Sequence, residues 1–255
     1  MTAATGASPP GVRAGRRVAV WGAGGAIGGA FVQHLAAAPD VAEVFAVSRT
    51  ARLAPAGKIR PIAGDLTVED DVAAAAATVA GAGGNLDVVL IASGVLHDAA
   101  ASIAPEKSWR ALDAAAMARV FAVNTIGPSL IAKHFLPLLA RDRRVIFAAL
   151  SARVGSISDN RAGGWHAYRA SKAALNMMIK GLAIELARRN PAALCVGLHP
   201  GTVDSPLSAP FQRNVPAAGL FTPARAAAAM LGVLEGLPAT ASGRLFAWDG
   251  AEIAP

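Results

Sequence analysis

A chain of 255 residues, more than half of them apolar, is long enough to bury one large core. Its one cysteine, Cys195, excludes an internal disulfide; its five scattered histidines (34, 97, 134, 166 and 199) lack metal-ligand spacing; and no run reaches the roughly 18 uninterrupted apolar residues of a membrane span. The net charge of +7 is thinly spread, densest in RDRR at 141–144, and so points to solvated surface and small anionic ligands rather than nucleic acid, which needs a focused basic face.

In chain order, residues 1–15 carry Pro, Gly and Arg without an apolar h-region and read as a flexible tail. Short apolar runs then alternate with longer helical patterns. RVAVWG (17–22) leads to a helix over 26–38, and EVFAVS (43–48) is followed by IRPIAGD (59–65) and a helix over 68–80, where an alanine-rich stretch has high helix propensity. LDVVLIAS (86–93) precedes a helical stretch over 106–140, broken once; RVIFAAL (144–150) precedes a helix over 165–189. ALCVGLHP (193–200), a helix over 223–236 and RLFAWD (244–249) complete the series. The alternation predicts parallel strands joined by crossover helices. The expected fold is one α/β domain over 16–255: a Rossmann-type, doubly wound, seven-stranded, mostly parallel sheet with helices on both faces.

In such a sheet the ligand crevice lies outside the carboxyl ends of the strands. The first strand ends in WGAGGAIGGA, whose glycines allow close backbone approach while the next helix offers free N–H groups to a pyrophosphate. The second strand ends in Ser48 and Arg49 where a dinucleotide fold normally places an acid. A guanidinium can pair with a 2′-phosphate that a carboxylate would repel, so NADP is favoured and NAD remains possible. Tyr168, the only tyrosine, stands one helical turn before Lys172 on the same face. An ammonium there would stabilise phenolate and draw the phenol toward neutrality as a proton donor.

GAGGAIG with YRASKAALN resembles the short-chain dehydrogenase/reductase family, and the wording SARVGSISDN…GGW…YRASKAALN is similar to its C-factor and sniffer-type carbonyl reductase branch. The resemblance implies a cofactor site made by Gly22, Gly24, Gly25, Ala26, Ile27 and Gly28 in the glycine loop, with Ser48 and Arg49 after it. Asp65 and Leu66 would lie near adenine, Ala92, Ser93 and Gly94 after the fourth strand, and Pro200, Gly201, Thr202 and Val203 against the nicotinamide carboxamide. Trp21 stands where that family usually has threonine, and Ser93 intrudes into its Asn-Ala-Gly.

The catalytic set implied is Tyr168, Lys172, Ser151 and Asn124. Tyr168 would protonate a carbonyl oxygen as hydride arrives, Lys172 would grip the nicotinamide ribose, and Asn124 would link the lysine to solvent protons. Ser151, seventeen residues before the tyrosine, would hold the substrate oxygen, with Ser156 as runner-up; the family's usual second serine aligns with Ala152. Residues 205–221 could fold over the substrate as a lid. The expected partner is a small carbonyl or alcohol compound, the expected assembly a homo-oligomer (dimer or tetramer), and the expected location the cytoplasm. An NADP-binding regulatory module with little turnover is the alternative.

Overall fold

The computed structural model describes residues 15–50, 55–101 and 103–255; the expected tail therefore lies, but for its last residue, outside the described residues. Strands run over Arg16–Trp21 (β1), Val41–Ser48 (β2), Ile59–Ala63 (β3), Val88–Ile91 (β4), Ile146–Leu150 (β5), Leu194–His199 (β6), Thr202–Val203 (β7), Leu220–Phe221 (β8), Leu245–Ala247 (β9) and Glu252–Ile253 (β10). Helices run over Ala26–Ala37 (α1), Glu69–Gly81 (α2), Ala114–Phe121 (α3), Gly127–Phe135 (α4), His166–Arg189 (α5) and Pro223–Gly236 (α6). From one edge the main sheet is ordered β3-β2-β1-β4-β5-β6-β9-β10. The order reverses between β1 and β4, and such a reversal opens a crevice at the carboxyl ends of those strands.

Side chains alternate across the sheet, so each strand feeds two cores. Val18, Val20, Val44 and Leu90 pack with Phe31 and Val32 of α1 and Met230 of α6. Ala19, Trp21, Phe45, Val47 and Ile91 pack with Val72 of α2, Phe135 of α4 and Ile179 of α5. Strands buried on both faces read as nearly continuous apolar runs, which is why they were legible in the sequence. Each fully buried large side chain contributes roughly 1.5–3 kcal/mol.

Two expectations need correction. The main sheet has eight strands, not seven: β10 adds antiparallel to β9. It is reached by a turn at Gly250 (φ 85°), where Asp249 Oδ1 accepts from Ala251 N at 3.1 Å. Two residues are too few to show a period of two. The stretch 106–140 also starts later than expected, at Ala114, where Asp113 Oδ1 caps Ala116 N at 2.8 Å. Its break is a π turn over Ala122–Ile126 joining α3 to α4. Pro128, lacking an N–H, withholds the ordinary helical bond from the Asn124 carbonyl four residues earlier, and widened turns of this kind gather at functional sites. By length and hydropathy alone Ala114–Leu138 would suffice to cross a membrane. Here α4 packs against α2 and α5, with Ile131 and Phe135 fully buried.

Candidate active site

The exits of β1 and β4 are pressed together at the reversal. Gly22 has φ 80°, and a Cβ there would lie 2.7 Å from Ser93 Oγ and 2.9 Å from the Ala92 carbonyl carbon. A Cβ at Gly28 would meet Gly22 O at 2.1 Å, so α1 seats on the loop only through a bare Cα. Gly24 is different: it is exposed, and its nearest neighbour, Ser48 Cβ, would be 3.5 Å from an added Cβ. The fold itself does not require that bareness. The N-terminus of α1 carries no side-chain cap at Gly25, leaving first-turn N–H groups at Ala26 and Ile27 toward the loop.

Ser48 closes β2 with Oγ donating to Thr50 O at 2.8 Å, and Arg49 beside it is exposed with no hydrogen-bonded partner among the described residues. Asp65 Oδ1 accepts from Thr67 N at 2.9 Å and Thr67 Oγ1 at 2.7 Å, a local turn. The Leu66 side chain is buried against Gly127, so only its backbone is available to a ligand. An open glycine cradle, an uncapped helix start and an exposed guanidinium with no partner among the described residues fit a dinucleotide bearing an extra phosphate.

The polar residues collect around the end of β5. Lys172, buried, donates from Nζ to Leu150 O at 2.8 Å and sits 5.8 Å from the centre of the Tyr168 ring. Asn124 is wholly buried: Oδ1 accepts from Val95 N at 2.8 Å, and Nδ2 donates to Val95 O at 2.9 Å and Ser171 Oγ at 3.1 Å. It thus ties the loop after β4 to α5 beside Lys172. Gly94 lies between them, since a Cβ there would stand 3.5 Å from Asn124 Oδ1 and 3.6 Å from Lys172 Nζ. With its side chain committed to Val95 and Ser171, Asn124 has only its backbone carbonyl to offer a proton relay.

One expectation changes here. Lys172 was expected to draw the phenol toward neutrality; instead desolvation pushes the half-buried Tyr168 up to about 12 and pulls the buried Lys172 down to about 8, because it disfavours both charged forms. Ser151, expected on the substrate oxygen, donates from its hydroxyl to Asn176 Oδ1 at 2.6 Å. Asn176 is two turns beyond Tyr168, about 12 Å along the helix axis, while Tyr168 leans toward the helix start. The runner-up, Ser156, is buried with Oγ accepting from Asp159 N at 3.1 Å and facing Pro255 O at 3.4 Å.

Past β6, Gly201 has φ 76°, and an added Cβ would sit 3.0 Å from Trp248 and 3.1 Å from Phe221, which packs Pro200–Val203 tightly beyond the carboxyl end of β6. His199 ends β6 with Nδ1 buried and unpartnered, and desolvation, followed by the charge of Arg153, pulls it down to about 4. The expected lid 205–221 is tethered: His97 Nε2 lies 3.1 Å from both Pro206 O and Leu207 O, and Gln212 Nε2 donates to Asp204 Oδ1 at 3.1 Å.

Several contributors gave no signal in the sequence. Glu106, buried, accepts from Ala167 N through both carboxylate oxygens at 3.2 and 3.3 Å and so caps the helix that carries Tyr168. Asn176, His97 and Trp165 likewise acquire their partners only through folding. The hollow lined by Val154, Ile157, Asn160, His166, Arg169 and Ala173 lies around the helix from Tyr168 and Lys172 and belongs to none of this chemistry.

Residues 16–216 match the family model described as short chain dehydrogenase. The chain is 36% identical over 148 residues to the C-signal of Myxococcus xanthus, covering 57% of this chain and 84% of that protein. Among solved structures it is similar to the NADPH-bound carbonyl reductase from chicken fatty liver (TM-score 0.79, 27% identity, 94% of this chain and 99% of that one). It also shares its fold with the carbonyl reductase Sniffer of D. melanogaster (TM-score 0.82, 22% identity, 94% of this chain and all of that one).

Proposed function

Because this chain belongs to the short chain dehydrogenase family and is an NAD(P)-dependent oxidoreductase, we propose that it is an NADPH-dependent reductase of small carbonyl compounds, working reversibly on the alcohols. The observation that carries the reading is the placement of Tyr168 and Lys172 on one face of α5, at the carboxyl end of β5 and beside an open glycine cradle. Gly22, Gly24, Gly25, Ala26, Ile27 and Gly28 would hold the pyrophosphate, Ser48 and Arg49 the 2′-phosphate, Asp65 and Leu66 the adenine. Ala92, Ser93, Gly94 and Pro200–Val203 would flank the remainder. The nicotinamide supplies or accepts hydride when bound; proton movement falls to the protein.

Tyr168 keeps its proton at neutral pH and donates it to a carbonyl oxygen as negative charge develops there. The Lys172 ammonium is the compensating charge for the phenolate left behind. The Asn124 carbonyl, denied its usual helical donor by Pro128, is the acceptor we assign to holding a water, and that water would carry solvent protons toward Lys172. Ser151 positions Asn176 and the end of β5, and Tyr168 remains the hydroxyl donor to the substrate oxygen. A screen of NADPH oxidation against aldehydes, ketones and quinones tests the reading, and absence of turnover with every class would overturn it.

Cofactor choice rests on Arg49. Calorimetric titration should show NADPH binding more tightly than NADH, and Arg49→Ala should lose on the order of tenfold in NADPH affinity with NADH unchanged, the size of a lost charge-assisted hydrogen bond. Equal losses for both cofactors would remove the argument.

The second reading, an NADP-binding regulatory protein, is favoured by one observation, the similarity to C-signal. It forecasts cofactor binding without turnover, which the same screen separates. We further propose a homo-oligomer, because Ile126, Met177, Met178 and Ile184 stand exposed along the π turn and α5. Light scattering should give a dimer or tetramer at micromolar concentration, and a monomer would contradict it.

A further inference from the structure

Trp165 is, among the described residues, the single non-glycine with positive φ (φ 50°, ψ 41°), following Gly163 (φ 62°) and Gly164 (φ 65°). A bulky aromatic residue is disfavoured in the left-handed region, where a third glycine would sit without strain. The segment is nevertheless held firmly: Trp165 N donates to Glu106 O at 2.5 Å, and Arg169 Nε donates to Gly164 O at 3.0 Å. A strained conformation that the surroundings over-determine calls for a functional reason.

The indole has two aromatic neighbours. It lies edge-to-face on Tyr168 at 6.4 Å between ring centres and tilted against Phe211 at 4.8 Å. Phe211 belongs to the tethered segment after β7 and meets the edge of His97 at 5.9 Å. Both oxygens beside His97 Nε2 are acceptors, so this nitrogen carries the hydrogen and holds the segment in place. Trp165 and Phe211 are only half-buried and therefore keep ring surface for a ligand next to the phenol.

We propose that Trp165 and Phe211 are the specificity-determining residues of the site. They form an aromatic wall beside Tyr168 that selects carbonyl compounds with a flat, unsaturated body over short aliphatic ones. This rests on the reading of Tyr168 as the proton donor. An aryl carbonyl presents an electron-poor face to an electron-rich indole, and the two bury apolar surface together, whereas a three-carbon aldehyde covers little of the wall. The left-handed backbone at Trp165 sets the indole where a relaxed helix start would not.

The experiment compares Trp165→Ala, Trp165→Gly, Trp165→Phe and Phe211→Ala with the parent, using benzaldehyde and propanal with NADPH. For the two alanine variants and Trp165→Gly, kcat/KM for benzaldehyde should fall about tenfold or more, chiefly through KM, while that for propanal changes less than about threefold. Trp165→Phe should retain most of the selectivity. Thermal melting adds a readout, since Trp165→Gly should melt above Trp165→Ala if the left-handed strain is real. Equal losses for the two aldehydes would mean that Trp165 merely supports Tyr168 and would overturn the proposal. Calorimetry of acetophenone on NADPH-loaded Tyr168→Phe protein, with and without Trp165→Ala, is independent of turnover. Binding that Trp165→Ala abolishes supports the wall even if the parent proves inactive, and no binding to the Trp165-containing protein refutes it.

Discussion

Tyr168→Phe should keep the fold and the cofactor while turnover falls by about 10² to 10⁴, the usual weight of a lost general acid. Phenylalanine preserves the ring that lies edge-on to Trp165 and 5.8 Å from Lys172 Nζ, so packing changes little. Among the described residues the Tyr168 hydroxyl has no hydrogen-bonded partner, so its removal orphans none of them. Measured kcat on any accepted carbonyl, with calorimetric NADPH affinity and a melting temperature beside it, isolates the proton. An undiminished kcat would reduce Tyr168 to a packing residue and remove the catalytic reading.

Lys172→Met should lose both turnover, by about a hundredfold or more, and NADPH affinity, because one ammonium is asked to balance the phenolate and to grip the cofactor. Its pH signature is specific. Burial lowers the lysine to about 8, so the charge is present below that pH and lost as pH rises through it. Reductase activity should fall on the alkaline side with an apparent pKa near 8, and Lys172→Arg, whose charge persists, should move that limb upward. Stability should run the other way. Between about 8 and the ordinary lysine value near 10.5, the unfolded chain holds a proton that the folded protein has released, so this group's contribution to stability rises with pH. Tyr168, raised to about 12, opposes that trend only above its ordinary value of 10. Activity lost at pH 9 without loss of melting temperature would therefore point to Lys172; parallel loss of both would point to unfolding.

What the sequence by itself determined is what depends on near neighbours along the chain. Most of β1 to β6 and β9 were legible because strands buried on both faces are largely apolar, the edge strand β3 because it is short and bounded by turn residues, and α1, α2, α5 and α6 because their patterns run for three turns or more. The glycine loop and the four-residue step from Tyr168 to Lys172 were legible for the same reason, since one local geometry brings each set together. β10 was not, being two residues long, nor was the form or place of the break at Ala122–Ile126.

Only the tertiary structure decided the partners of residues far apart in the chain. It gave the Ser151 proton to Asn176, set the Glu106 carboxylate under the start of α5, tied Asn124 to Val95, and brought His97 to Phe211 and Phe211 to Trp165, the neighbour of the phenol. It also reversed the expected direction of the Tyr168 shift. Charge proximity can be read from spacing, but desolvation depends on what other segments pack around a group, and at Lys172 those are the loop after β4 and the end of β5.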